Sequence, residues 1–164
     1  MINPPRNVTG TVFQHEGGAD TVWKDLPAKW RLLVVLRGDV CDNVCQNQLY
    51  QTRQIHVALG REFNRVGRVV LGDVTTGSVA VSESDARSHT QRGLLDWLEE
   101  QHLGVTSLTL SPAELAALVP EAVDQPRQWY VVDPAGWIMM RISDDLYYKD
   151  VISDLRFLLK HSGG

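Results

Sequence analysis

Apolar residues along this chain fall into two rhythms. Residues 30–38, "WRLLVVLRG", and residues 68–74, "RVVLGDV", are short runs rich in β-branched side chains that meet a glycine. Runs of this kind form strands buried on both faces of a sheet. Between them, from Val44 to about Asn64, the only glycine is Gly60 and there is no proline, and Val44, Ile55, Ala58 and Leu59 recur at helical spacing. After the second run, "SHTQ" at 88–91 reads as a capping box ahead of a helix that turns Leu94, Leu95 and Leu98 inward. Strand, helix, strand, helix in this order implies a parallel unit.

The second half changes character. "VTSLTL" at 105–110 predicts a short strand or extended link. "SPAELAALV" then opens a helix with Ser111 as cap, Pro112 in its first turn and Glu114 closing the box. "QWYVVD" and "WIMMRI" flank "DPAG", in which Pro134 suits the second turn position and Gly136 the fourth, so residues 128–142 should be an antiparallel hairpin. A last helix from about Asp145 to Lys160 should bury Tyr148, Val151, Leu155 and Leu158. At the other end, residues 11–30 alternate weakly around a "HEGGAD" turn, which suggests a hairpin ahead of the main fold.

Composition narrows the function classes. A chain of 164 residues suits one domain with a sizeable core. Charged residues make up 22% with a formal net charge of −4, and basic residues do not cluster, so nucleic acid is not an expected partner. No apolar stretch approaches the roughly 18–20 residues of a membrane span, and no signal-peptide pattern opens the chain. Residues 1–10, "MINPPRNVTG", read as a linker or juxtamembrane lead, and residues 11–162 as the domain.

The chemistry on offer lies in "LRGDVCDNVCQNQ", residues 36–48, which hold both cysteines. Four residues apart at a helix start, Cys41 and Cys45 can share a face and come within bridging range. A disulfide, a two-thiolate metal clip and an inert staple all remain open on spacing alone. The helix start favours thiolate at this place; Asp39 and Asp42 oppose that, with only Arg37 close by as a counterweight. Cys41, nearer the helix end, is the expected attacking thiol, and Cys45 the resolving one. His56 stands eleven residues past Cys45 on the same helix, about 16 Å along its axis, too far to join the pair. His15, His89, His102 and His161 fall in expected surface turns or helix ends, with His15 the least excluded as a ligand. Met139 and Met140, adjacent in a strand, should face opposite sides, one of them in the core. The five tryptophans should pack in or beside the core.

A parallel unit with cysteines where its first strand meets its helix, followed by a hairpin and a closing helix, is similar to the thioredoxin fold: α/β, a central mixed sheet flanked by helices, here with an N-terminal hairpin. Within that fold, C-x-x-x-C resembles the SCO family, the copper-handling, membrane-tethered proteins that assist cytochrome c oxidase assembly. "CDNVCQ" keeps both cysteines and Val44 of that family's C-P-D-V-C-P, with Asp42 and Gln46 in place of the prolines. "VDQPRQWYVVDPAG" at 123–136 is similar to its downstream motif, with Gln125 where the copper-ligating histidine falls. Pro126 stands where thioredoxin-like folds place a cis-proline beside the cysteines. The resemblance implies thiol redox work or Cu(I) handling by Cys41 and Cys45, with copper as the cofactor. It further implies a protein partner such as an oxidase subunit or another assembly factor, and a place on the periplasmic side of a bacterial inner membrane, tethered through a segment absent from this chain. Soft thiolates suit Cu(I), whereas Cu(II) normally wants imidazole, which Gln125 does not supply. Two other readings stand beside this one: a general thiol-disulfide oxidoreductase, and a non-catalytic interaction module whose metal site has decayed.

Overall fold

A computed structural model describes residues 6–15, 20–74, 79–81, 92–102 and 104–161. The two β-branched runs form β4 (Trp30–Leu36) and β6 (Val66–Gly72), which pair in parallel at the centre of an eight-stranded mixed sheet. β9 (Thr106–Thr109) continues the parallel part beside β6. On the other side of β4 lie β10 (Gln128–Val132) and β11 (Trp137–Ser143), the expected hairpin, both antiparallel neighbours in the sheet. Its turn is built as read: Asp133 Oδ1 accepts from the amides of Ala135 and Trp137, and Gly136 takes φ of +86°, where a side chain would be strained.

The N-terminal hairpin, β2 (Val12–His15) and β3 (Asp20–Val22), extends the same sheet by pairing with β9. Within the expected lead, β1 (Arg6–Asn7) pairs with β11, Val8 is buried, and Arg6 forks onto Glu121, holding that carboxyl below its ordinary range. A small second sheet joins β5 (Val40–Cys41), β7 (Ala80–Val81) and β8 (Arg92–Gly93).

Alternation along β4 splits the core in two. Trp30, Leu32, Val34 and Leu36 face one cluster, where the long helices α1 (Asn43–Ala58) and α5 (Tyr148–His161) and the shorter α2 (Leu94–Gln101) bury their apolar stripes. Leu33 faces the other, which is covered by the short helices α3 (Pro112–Leu118) and α4 (Glu121–Asp124) with Phe13 and Trp23. Ser111 caps α3 as expected, its hydroxyl accepting from the amide of Glu114.

Several expectations are corrected. α1 ends at Ala58, ahead of Gly60 at φ +60°, and its buried face is Cys45, Gln48, Leu49, Thr52 and Ile55, with Val44 and Ala58 half-buried. α5 begins only at Tyr148, so its stripe is Val151, Ile152, Leu155 and Leu159; Tyr148 is exposed and Leu158 half-buried. Met139 and Met140 do not face opposite sides, because a bulge lets Val131 pair with Met140 and Val132 with Ile138. Met139 is the extra residue, and both thioethers pack on the helix-rich cluster while Ile138 turns to the other. Trp137 is exposed, although the other four tryptophans are buried. The "SHTQ" segment and the side chain of Leu95 lie outside the described residues.

Candidate functional site

The cysteine segment is positioned by two elements. β4 delivers the chain to a turn at Gly38, whose amide donates to Asp73 Oδ1 at 2.8 Å, and β5 then fixes Cys41 opposite Val81. Asp42 is the N-cap of α1: its carboxylate accepts from the amide of Cys45 at 3.0 Å, which starts the helix without the proline of the SCO motif. Gln46, at the second proline's place, reaches back from its side-chain amide to the carbonyl of Cys41 at 3.0 Å. Cys41 thus sits just before the helix and Cys45 in its first turn, joined as a disulfide with Cα atoms 5.2 Å apart.

The two sulfurs are not equivalent. Cys41 is 0% exposed, whereas Cys45, 5% exposed, lines a cavity of about 220 Å³ together with Arg37, Val40, Asp42, Val44 and Pro126. Cys41, expected as the attacking thiol, is thus the more deeply covered of the two. Pairing of β5 in the small sheet covers Cys41, while Cys45, on the buried face of α1, borders the cavity.

The loop from the downstream motif does come to this place. Gln48, buried one turn after Cys45, donates to the carbonyl of Pro126 at 2.8 Å. Gln125 is exposed at the end of α4, its amide donating to the carbonyl of Glu121. Gln48 was missed in the sequence; the signal was a polar residue on the helical stripe that runs Cys45, Leu49, Thr52.

The histidines take no part among the described residues. His56 stacks on Phe63 with ring centroids 3.8 Å apart and lies 2.9 Å from its carbonyl; burial lowers its pKa. His161 is exposed against Phe157. His102 is not a surface residue but a buried one: its Nδ1 accepts from Arg68 at 3.1 Å, and burial, then Arg68, push its pKa down to about 4. His89 and the side chain of His15 lie outside the described residues. Among the described residues no group of three or more His, Cys, Asp and Glu side chains could hold a metal. The reduced pair would offer copper two thiolates, which fits Cu(I) and does not fit Cu(II).

Residues 30–162 match the family model described as "Transmembrane-like, thioredoxin-like, C-terminal domain". The chain belongs to this thioredoxin-like family. Solved structures sharing its fold include Sco proteins. Copper-bound yeast Sco1 superposes with a TM-score of 0.66 at 14% identity, covering 95% of each chain. A SCO1/SenC family lipoprotein from Bacillus anthracis gives 0.62 at 17% identity, over 97% of this chain and 99% of that one. BsSco, described as a member of the Sco family of cytochrome c oxidase assembly proteins and as having a disulfide switch, gives 0.61 at 16%, over 96% of each. At these identities the likeness is one of fold, and this family member is a divergent one. No curated protein matches the chain in sequence. Among the described residues no helix is long and apolar enough to cross a membrane.

Proposed function

We propose that this domain performs thiol-disulfide exchange in the assembly of a respiratory cytochrome oxidase, with Cys45 meeting the partner and Cys41 as the buried sulfur. The observation that carries this reading is the asymmetry of the pair: Cys45 borders a cavity beside Pro126, and Cys41 is fully buried. In the reducing direction, one thiolate of a partner dithiol attacks Cys45 Sγ, and Cys41 Sγ leaves as thiolate with the electron pair of the broken bond. The partner's second thiolate then attacks its own sulfur in the mixed disulfide and releases Cys45. Two electrons pass to the domain, its sulfurs take up protons as their pKa values dictate, and the partner leaves as a disulfide.

The Sco fold supports the setting: a protein partner such as an oxidase subunit or another assembly factor, on the periplasmic side of a bacterial inner membrane, with a tether outside residues 11–162. A second reading, Cu(I) carriage by the reduced pair, is favoured by two soft donors four residues apart.

The test is alkylation of the dithiol form together with metal titration. Cys45 should label faster than Cys41, and Cys41→Ser should trap a mixed disulfide through Cys45. Equal and negligible labelling of both would leave an inert staple. Cu(I) should bind the reduced wild type while Cu(II) binds poorly. Gln125→His should add thiolate-to-Cu(II) absorbance that Cys41→Ser abolishes; a folded variant without it would mean that this loop does not align with the SCO motif or that the copper ancestry is mistaken, whereas failure of the reduced wild type to bind Cu(I) would remove the copper reading and leave the exchange reading standing.

A further inference from the structure

At the end of β4 opposite the cysteines, a cavity of about 120 Å³ is lined by Trp23, Lys24, Lys29, Arg31, Thr9 and Pro134, with a few smaller neighbours. Six residue steps along β4 put it about 20 Å from the start of the cysteine loop. Arg31 is 5% exposed, yet among the described residues no carboxylate pairs with it. One arm donates to the carbonyl of Pro27, and the guanidinium lies over the Trp23 ring at 5.6 Å; those are its polar and aromatic contacts among the described residues. A guanidinium has five N–H donors, so most of this one's capacity is unspent. Lys24, exposed, and Lys29, half-buried, border the same space and likewise carry no ion pair among the described residues.

The neighbouring strand makes room for this cation. Gly67 stands opposite Arg31 in the ladder, and a Cβ there would come within 3.2 Å of Arg31 Nη1 and 4.0 Å of Lys29 Cδ. A buried charge is costly unless paired. Burial does push the Arg31 pKa down, with no neighbouring acid to restore it.

We propose that this cavity binds a tetrahedral oxyanion, a phosphate either free or carried by a lipid headgroup, with Arg31 as the buried anchor and Lys24 and Lys29 as the outer clamp. Two further N–H donors of Arg31 suit two oxygens of one phosphate, the fork geometry that favours arginine at such sites. At roughly 30 Å³ per water in the liquid, the space equals about four waters, enough for a five-atom anion. The site is separate from the thiol chemistry, so its failure would leave that reading untouched.

The experiment titrates the full chain with inorganic phosphate at constant ionic strength, following amide resonances, with chloride as the control. Saturable shifts confined to residues 9, 23–26, 28–31, 67 and 135 are expected. The double substitution Lys24→Gln, Lys29→Gln, which removes two charges and leaves the buried Arg31 in place, should weaken binding about tenfold or more without unfolding the domain. Phosphate also strengthens folding generally through exclusion from protein surfaces, an effect that does not saturate and that the double variant would keep. Unsaturable changes, or equal binding by the variant, would overturn the proposal. Co-sedimentation with vesicles of phosphatidylglycerol in phosphatidylcholine, absent with phosphatidylcholine alone and lost in the double variant, assigns the lipid headgroup. Phosphate binding without co-sedimentation assigns the free anion, and failure of both rejects the site.

Discussion

The two faces of the sheet each bury an arginine, and they treat it in opposite ways. Arg31 on β4 and Arg68 on β6 are near neighbours in the ladder, since Arg31 pairs with Gly67 and Leu32 with Arg68. On the helix-rich face, Arg68 is 6% exposed and closed off by neutral acceptors: the Leu49 carbonyl at 2.5 Å, Thr52 Oγ1 at 3.2 Å and His102 Nδ1 at 3.1 Å. Its pKa falls to about 10, through burial and then through Arg53, with no acid near enough to reverse it. On the other face, Arg31 has one carbonyl, a tryptophan ring and a cavity. A long helix such as α1 can bring a carbonyl and a hydroxyl to a buried cation. The irregular segment at residues 24–29, which opens in a 3₁₀ turn, leaves space instead. A buried charge without a carboxylate can therefore be a closed structural joint or an open binding position, and its acceptors tell which.

The largest effect should come from Arg68→Met. It strands the acceptors on α1 and His102 and leaves part of the volume unfilled, so chemical denaturation should show a loss of about 4 kcal/mol. Arg31→Met in phosphate-free buffer should change stability by less than about 1 kcal/mol, because an apolar side chain replaces a charge that has few partners to lose. Equal losses in the two variants would break the comparison.

As the pH falls, acid should weaken the closed face first, because the Arg6–Glu121 pair on the other side is lost only as that carboxyl protonates, below its ordinary range. His102 titrates at about 4 in the fold against an ordinary 6.5, so between those values the unfolded chain binds more protons than the native one. The stability that this histidine contributes is complete above about pH 6.5. It is lost as the pH falls towards 4 and is level below, a change of up to about 3 kcal/mol. The charged groups set against it are Arg68 and Arg53. His102→Asn, which keeps an acceptor for Arg68, should flatten that slope in denaturation curves measured across the range.

Reduction of the disulfide should cost less than either Arg68→Met or acid. Closing so short a loop stabilises by about 2 kcal/mol, and that amount should disappear with a dithiol reductant. The loss should add simply to Arg31→Met but not to Arg68→Met, since Arg68 and Cys45 both act on α1. Simple additivity in both cases would mean that the two faces are not mechanically distinct.

Features written in local chemistry were legible in the sequence. The β-branched runs, the Ser111 cap, the Asp133–Gly136 turn and the cysteines at a strand-to-helix step each rest on a few neighbouring residues, and each is found in place. What needed partners was not legible. Met139 could not be read as a bulge without its pairing to β10, nor His102 as buried without Arg68 arriving from a distant strand. The order of exposure of Cys41 and Cys45 depended on β5 and β7, strands of two residues with no period to detect. The contact of Gln48 with Pro126 spans 78 positions and has no local trace beyond a polar residue on an apolar stripe.

The pairing of Arg6 and Asn7 with the rim of the sheet has a practical consequence. A domain cut at residue 11, where the alternating pattern begins, would remove Val8 from the core, release Glu121 from Arg6 and bare the backbone of β11 at Trp137 and Ile138. An uncovered strand with an exposed tryptophan is a template for edge-to-edge association, so those few leading residues act as a guard against aggregation.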